Sequence, residues 1–299
     1  MESGYRCGYI ALVGRPNVGK STLLNRALGQ KVSITSKRPQ TTRHRILGIK
    51  TTDTAQFVYV DTPGLHQYSG RAMNRYMNQA AIRALQDVDV VVFLVEGLRW
   101  TADDDLVLKE LVSVQCPVVL AVNKVDLIAD KESLLPGLQT LAVKREFEQI
   151  IPLSAFKGEN VTELEACIES LLPESAAFFP EDQITDRSER FLVAERVREK
   201  LFRKLGKELP YGLTVEIEQF KREKHIIHIH ALIWVERQSQ KSIVIGKQGR
   251  MLKEVGQEAR REIEPLLDSK VNLKLWVKVK EGWADDERAL RSLGYTDED

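Results

Sequence analysis

The 299-residue chain has only three cysteines, Cys7, Cys116 and Cys167, scattered and without a C-x-x-C pair. That number and spacing exclude a disulfide framework and offer no zinc-ligand pattern, so the thiols are expected to be buried or reduced. Long apolar runs are missing too. None approaches the roughly 18 residues that a membrane span needs. The N-terminus lacks a charged-then-apolar signal region, which predicts an unprocessed cytosolic protein. Net charge is nearly absent, at +1, but only in sum. Residues 1–60 carry +8, residues 61–189 carry −11, residues 190–280 carry +9 and residues 281–299 carry −5. This segregation predicts two domains, the second with a polyanionic partner.

What is present is organised around Gly14-Arg15-Pro16-Asn17-Val18-Gly19-Lys20-Ser21, followed by Thr22. The stretch follows the apolar run 9–13 and opens onto a helical pattern, the context in which G-x-x-x-x-G-K-[ST] reads as a phosphate cradle. Its glycines let successive backbone N–H groups turn inward as an anion nest, and the positive end of the following helix adds to that field. Lys20 is placed to reach the β/γ-phosphates and the Ser21 hydroxyl to ligate Mg²⁺.

Residues 32–45 lack helical or strand periodicity and read as a mobile loop. Two strand patterns follow, 46–52 and 56–60, the second delivering Asp61-Thr62-Pro63-Gly64 at its carboxyl end, where open α/β sheets bind ligands. Asp61 then holds Mg²⁺ through water, and the Gly64 N–H contacts a γ-phosphate. Residues 65–70 are expected to be mobile. A helix over 73–85, a buried strand over 88–95 and a helix started by Thr101 come next. The strand 117–122 ends in Asn123-Lys124-Val125-Asp126. A carboxylate at Asp126 accepts two hydrogen bonds from guanine that adenine does not offer, a discrimination of roughly 10⁴–10⁵. The strand 149–153 ends in Ser154-Ala155, whose Ala155 N–H is positioned to support the guanine carbonyl. A helix over 161–172 closes a doubly wound, mostly parallel α/β domain.

Prolines at 173 and 180 bound a linker, so the organisation is 1–173, linker 174–189, a smaller α+β domain over 190–280 and a tail over 281–299. In the second domain a helix carries Phe191, Val197, Leu201 and Leu205, and strands run over 213–218 and 226–235. His228 and His230 share the outer face of the latter, with a solvated or RNA-facing role favoured over a metal pair. Gly246-Lys247-Gln248-Gly249 then leads into a basic helix, 250–267, that carries Arg250 and Lys253, buries Leu252, Val255, Ala259 and Ile263, and exposes Arg260 and Arg261. An apolar run, G-x-x-G and a basic helix is how a KH module clamps single-stranded nucleic acid. The strand 271–279 puts Lys274, Trp276 and Lys278, with Lys280 just beyond, on the face away from the core. The charged tail reads as solvated helix or coil.

Taken in this order, the motifs make the chain resemble the Era family of bacterial GTPases, which carry a C-terminal KH domain. The resemblance covers essentially all residues and rests on Gly14–Ser21, Gln40–Arg45, Asp61–Gly64, Asn123–Asp126, Ser154–Ala155, Gly246–Gly249 and Trp283–Tyr295. It implies a P-loop GTPase domain and a type II KH domain, with GTP/GDP and Mg²⁺ as ligands. Thr42 is implied as the Mg²⁺-contacting switch threonine, with Thr41 the alternative. The implied partners are the 3′ end of small-subunit rRNA and the small ribosomal subunit, in whose assembly the family assists. Peripheral association with the inner membrane and a monomeric state are implied as well. In such KH folds residues 241–245 form a short helix, whereas their β-branched content alone predicts a strand. The chain departs from Ras-like GTPases at Leu65, which stands where those proteins carry a water-orienting Gln. The resemblance also implies a K⁺ ion held partly by Asn17, against which stands a role for Asn17 in shaping the loop. Two functional readings follow: a GTP-driven switch on RNA, and a constitutive RNA-binding protein with GTP as a structural ligand.

Overall fold

The computed structural model describes residues 4–36, 38, 40–65, 71–206, 212–293 and 295. The chain divides into two compact units, Met1–Ser69 with Asn74–Asp186, and Gly70–Met73 with Arg187–Asp299.

The first unit is built on a six-stranded sheet in the order β2-β3-β1-β4-β5-β6. β1 (Arg6–Val13), β3 (Ala55–Asp61), β4 (Val90–Glu96), β5 (Val118–Asn123) and β6 (Gln149–Leu153) run parallel, and β2 (Ile46–Thr51) is antiparallel to β3. Alternate residues of β1 enter different cores, because a strand's side chains alternate between faces. Ile10 and Leu12 pack with Leu23 and Leu24 of α1 (Lys20–Leu28) and Leu164 and Ile168 of α5 (Val161–Leu171). Ala11 and Val13 pack with Ala81 of α2 (Ala72–Arg83), Val107 of α3 (Ala102–Glu110) and Leu141 of α4 (Leu134–Ala142). Both faces are therefore covered, which is why the central strands read as unbroken apolar runs. The doubly wound expectation holds. No helix is expected from the sequence over 134–142, yet α4 forms there with Pro136 in its first turn, where a missing N–H costs nothing.

Residues 174–186 lie along the first unit's own strands. Ile49 donates to the Ile184 carbonyl (2.9 Å), Leu47 N–H to Asp186 Oδ1 (3.0 Å) and Thr185 Oγ1 to the Leu47 carbonyl (2.7 Å). These bonds occupy the edge of β2 that would otherwise present unpaired backbone groups.

The second unit has a three-stranded sheet, β7 (Leu213–Glu223), β8 (Ile226–Val235) and β9 (Lys270–Val279), with β7 antiparallel and β9 parallel to β8. One face packs on α6 (Glu189–Lys204), α7 (Gln238–Ile245) and α8 (Arg250–Leu266), burying Val197, Val244, Val255, Ala259 and Ile263 against Ile227, Ile229, Ile233 and Val235. Leu252 is half-buried rather than fully buried. The order α-β-β-α-α-β is that of a type II KH domain. Residues 241–245 are helical, so the strand expectation from composition fails and the one from family resemblance holds. The Gln240 side chain caps the helix by accepting from the Glu236 and Arg237 amides (2.8 and 3.1 Å), and only Val244 of the apolar trio is fully buried. Tertiary context outweighs β-propensity here.

The tail also departs from its expectation. Trp283 is fully buried, its Nε1 donating to the Gly212 carbonyl (3.2 Å), and it stacks with Tyr295 at 6.3 Å. The Tyr295 hydroxyl lies 3.0 Å from Thr214 Oγ1. Between them, α9 (Glu287–Ser292) is N-capped by Asp286 and buries Leu290. The tail is a folded part of the second unit.

Candidate functional site

Four loops at the carboxyl ends of β1, β3, β5 and β6, together with the segment before β2, carry the residues singled out from sequence. Between β1 and α1 the backbone turns through positive φ at Gly14 (150°), Asn17 (67°) and Gly19 (108°), which glycine tolerates and Asn tolerates better than most. Pro16 and Gly64 meet backbone to backbone: a Cβ on Gly64 would lie 2.6 Å from Pro16 N, so only glycine brings the Asp61–Gly64 segment this close. Lys20 is 6% exposed and donates to the carbonyls of Gly14 (2.8 Å) and Arg15 (3.1 Å). Burial lowers its pKa to about 8, with Asp61 pulling it up and Arg15 pushing it further down.

Three oxygen-bearing side chains converge beside it. Ser21 Oγ lies 2.8 Å from Thr42 Oγ1 and donates to Asp61 Oδ2 at 2.8 Å. Ser33, which motif reading missed, donates to the same Oδ2 at 2.8 Å. Asp61 is fully buried; burial raises its pKa, against Lys20 and the bonds from Ser21, Ser33 and the Thr62 amide. Its Oδ1 is buried and makes no hydrogen bond of normal geometry among the described residues. Two hydroxyls and a carboxylate with an unspent oxygen are a hard-donor set of the kind that binds Mg²⁺. Of the two threonine candidates, Thr42 faces Ser21, whereas Thr41 Oγ1 turns to the Arg38 carbonyl (2.7 Å) and Ser36 (2.8 Å).

Thr62 is buried with its hydroxyl donating to the Leu12 carbonyl (2.8 Å), fixing the start of the loop through Pro63 to Gly64. Leu65 is 5% exposed and packs in the core with Val13 and Val95. The position that carries a catalytic Gln in Ras-like proteins is here a core position. Of the segment 65–70, expected to be mobile, Leu65 is instead buried, and residues 66–70 lie outside the described residues.

Asn123 ties the Asn123–Asp126 loop to the loop between β1 and α1: its Nδ2 donates to the Val18 carbonyl (2.7 Å) and its Oδ1 accepts from the Ala155 amide (2.9 Å). The Ala155 N–H, expected to support a guanine carbonyl, is thus committed to Asn123. Asp126 retains a buried Oδ1 without a partner among the described residues. Ser154 is fully buried, its Oγ accepting from the Lys157 amide (3.1 Å). Lys124 takes a left-handed backbone (φ 65°) and pairs with Glu96 (3.0 Å). Arg15 turns to acids, pairing with Glu96 (3.0 Å) and Asp104 (3.2 Å). Against the upward push of burial, Lys124 and Arg15 hold Glu96 below its ordinary pKa. Glu96 and Asp104 carry no motif signal. Only Asp104 leaves a trace, as the acid three residues after Thr101 in the capping box of α3.

In the second unit, Gly246 (φ 73°), Gln248 (φ 52°) and Gly249 (φ 75°) hold the G-x-x-G segment in a left-handed turn, with Lys247, Gln248, Arg250 and Lys253 exposed. A Cβ on Gly246 would lie 2.6 Å from the Met251 Cβ, so this close turn requires glycine. Arg250 pairs with Glu254 (3.0 Å), while Lys253 forms no ion pair among the described residues.

Two family models match the chain, one described as a 50S ribosome-binding GTPase over residues 9–124 and a KH domain over residues 208–284. The chain is 61% identical to the GTPase Era of Ectopseudomonas mendocina (strain ymp) over 292 residues, 98% of each chain. It is 61% identical to that of Pseudomonas aeruginosa (strain LESB58) over 297 residues, 99% of this chain and 97% of the relative. Among solved structures it is similar to Era in complex with MgGDPNP and nucleotides 1506–1542 of 16S ribosomal RNA. There the TM-score is 0.94 with 39% identity, covering 98% of this chain and 99% of the other. A variant of Aquifex aeolicus Era bound to GDP and AlF4⁻ gives a TM-score of 0.94 at 38% identity, covering 97% and 99%.

Proposed function

The chain belongs to the Era family of GTPases, and from that membership we propose that it works as a GTP-driven switch on small-subunit ribosomal RNA during small-subunit assembly. The observation that carries the nucleotide half is the convergence of Ser21, Thr42 and Asp61 beside the buried Lys20, with Asn123 bracing the base-reading loop on Val18. Lys20 exchanges its bonds to the Gly14 and Arg15 carbonyls for phosphate oxygens, and the backbone amides of residues 14–22 cradle the phosphates. Ser21, Thr42 and Asp61 hold Mg²⁺, which when bound neutralises charge on the β- and γ-phosphates. Asp126 reads guanine through its unpartnered Oδ1, and Gly64 offers its N–H to the γ-phosphate. With Leu65 in the core, Asn17 would help hold a K⁺, which when bound would supply positive charge to the hydrolytic transition state. Because Thr42 sits in the segment 32–45 and Gly64 heads the next, hydrolysis releases both segments.

The RNA half rests on the G-x-x-G turn with its exposed Lys247, Arg250 and Lys253, and on the relative whose complex contains nucleotides 1506–1542 of 16S rRNA. Peripheral membrane association and a monomeric state belong to the same proposal. No helix among the described residues is long and apolar enough to cross a membrane. The deciding experiment is cosedimentation of purified protein with isolated small and large subunits in GDP and in a non-hydrolysable GTP analogue. Nucleotide-dependent binding to small subunits is expected. Equal binding in both nucleotides would replace the switch with a constitutive RNA-binding protein in which GTP is structural. Binding to large subunits alone would favour the partner that the first family model's description names.

A further inference from the structure

The outer face of the β7-β8-β9 sheet, opposite the helices, has no part in the clamp described above. On β9 it presents Asn272, Lys274, Trp276 and Lys278, paired in register with His228, His230, Leu232 and Trp234 of β8. Trp276 is 41% exposed, yet its ring is held: His230 meets it edge-on at 4.9 Å and 65°. Its cross-strand neighbour Leu232 is only 1% exposed, so the strand beside the indole carries an apolar side chain shielded from water. Trp234 donates to Glu216 (2.8 Å) and has the ammonium groups of Lys278 and Lys280 at 5.8 and 5.7 Å from its ring.

We propose that this face is a second RNA-binding surface, on which a base of single-stranded RNA stacks against Trp276 while Lys274, Lys278 and Lys280 meet the flanking phosphates. An exposed, oriented indole between cations is the combination by which single strands are held without regard to sequence. The acids of this face are already engaged. Glu216 holds Trp234, Glu218 pairs with Lys278 (3.1 Å), and Glu223 pairs with Lys221 (2.6 Å) and lies 3.7 Å from His228. Lys274, two residues from Trp276, forms no ion pair among the described residues. A protein partner fits less well, because lysine is depleted at the centres of protein interfaces. A lipid surface fits less well too. Ile226, the other exposed large apolar residue of this face, is six residues along β8 from Leu232, or about 20 Å, so there is no continuous apolar face to insert.

The inference rests on the second unit being an RNA-binding KH domain and extends its footprint beyond the roughly four nucleotides of the clamp. It is tested on the full-length protein with two unstructured RNAs, one of about four nucleotides, which fills a clamp, and one of about twenty, which runs past it. Trp276→Ala should weaken the longer RNA about ten-fold and leave the shorter one unchanged, as expected for loss of one stacked base. Trp276→Phe should retain most of the affinity. Lys274→Glu should weaken the longer RNA and reduce its salt slope by about one. Unchanged GTP turnover and thermal midpoint in these variants verify the fold. Lys247→Asp with Gln248→Asp should abolish binding of both RNAs. If it spares the shorter one the clamp reading fails, while the Trp276→Ala comparison on the longer one still decides this proposal. Undiminished affinity of Trp276→Ala for the longer RNA would overturn it. So would a loss confined to binding of vesicles of phosphatidylserine and phosphatidylcholine.

Discussion

Three carboxylate oxygens, Oδ1 of Asp61, Asp104 and Asp126, are buried without a hydrogen-bond partner among the described residues, and those of Asp61 and Asp126 stand where a ligand is proposed. A buried polar atom left so costs about 1–3 kcal/mol, which a ligand that supplies a cation or an N–H recovers. This is the residue-scale argument for both assignments, and it makes each testable. Asp126→Asn keeps the shape but replaces an acceptor with an amide that faces guanine's own donors. GTP binding should weaken and xanthosine nucleotides should bind better, by competition against a fluorescent guanine nucleotide. A variant that binds GTP as well as the parent removes Asp126 as base reader. Asn17, exposed and in a left-handed conformation, supports a second prediction. Turnover should be faster in potassium than in sodium at matched ionic strength, and Asn17→Ala should abolish the difference while binding GTP nearly normally. A K⁺ held there would take the place of an arginine finger, whose contribution is about 10³–10⁵. Equal rates in the two salts would leave Asn17 as a loop-shaping residue.

At the scale of elements, the tail gives the sharpest stability prediction. Trp283 is fully buried, and its indole N–H is spent on the Gly212 carbonyl. Trp283→Ala should therefore destabilise the second unit by about 3–5 kcal/mol, read as a lowered denaturation midpoint of that unit's transition. A shift of less than about 1 kcal/mol would mean that the tail only rests on the surface. The tail also shows where sequence reading stops. Its alternation of acids and apolar residues suits a solvated helix and a docked one equally, and only Gly212 and Thr214, 71 and 81 residues away in the chain from Trp283 and Tyr295, distinguish them. The same holds for residues 241–245, whose helix is set by the Gln240 cap and by the pocket for Val244. By contrast, β1, β4 and β5 were legible because burial on both faces writes itself as an unbroken apolar run. The P-loop, Asp61–Gly64 and Asn123–Asp126 were legible because each needs fixed residue types at fixed spacing. Ser33, Glu96 and Asp104 were not, since a single polar side chain that supports a motif from another loop has no spacing of its own.

For the whole molecule, the decisive quantity is the coupling between nucleotide and RNA. The residues proposed to hold phosphate and guanine belong to the first unit, and the G-x-x-G turn and its cations to the second. Lys247→Asp with Gln248→Asp should therefore abolish RNA binding and leave GDP and GTP affinities in the absence of RNA unchanged. RNA affinity of the parent should fall steeply with salt, because displaced counterions drive the association. If the protein is a switch, a further constraint follows from linkage. The factor by which a GTP analogue, relative to GDP, changes RNA affinity must equal the factor by which RNA changes the preference for the analogue over GDP. A typical coupling of about 1–3 kcal/mol would appear as a factor of about 5–150 in both measurements. Isothermal titration around the four-cornered cycle measures both factors on one preparation, and the double Asp variant supplies the uncoupled baseline. A factor of one on both sides, with RNA bound tightly throughout, would show that nucleotide and RNA occupy one protein without communicating. GTP would then act as a structural ligand, and the position of Thr42 beside Ser21 would serve nucleotide retention alone.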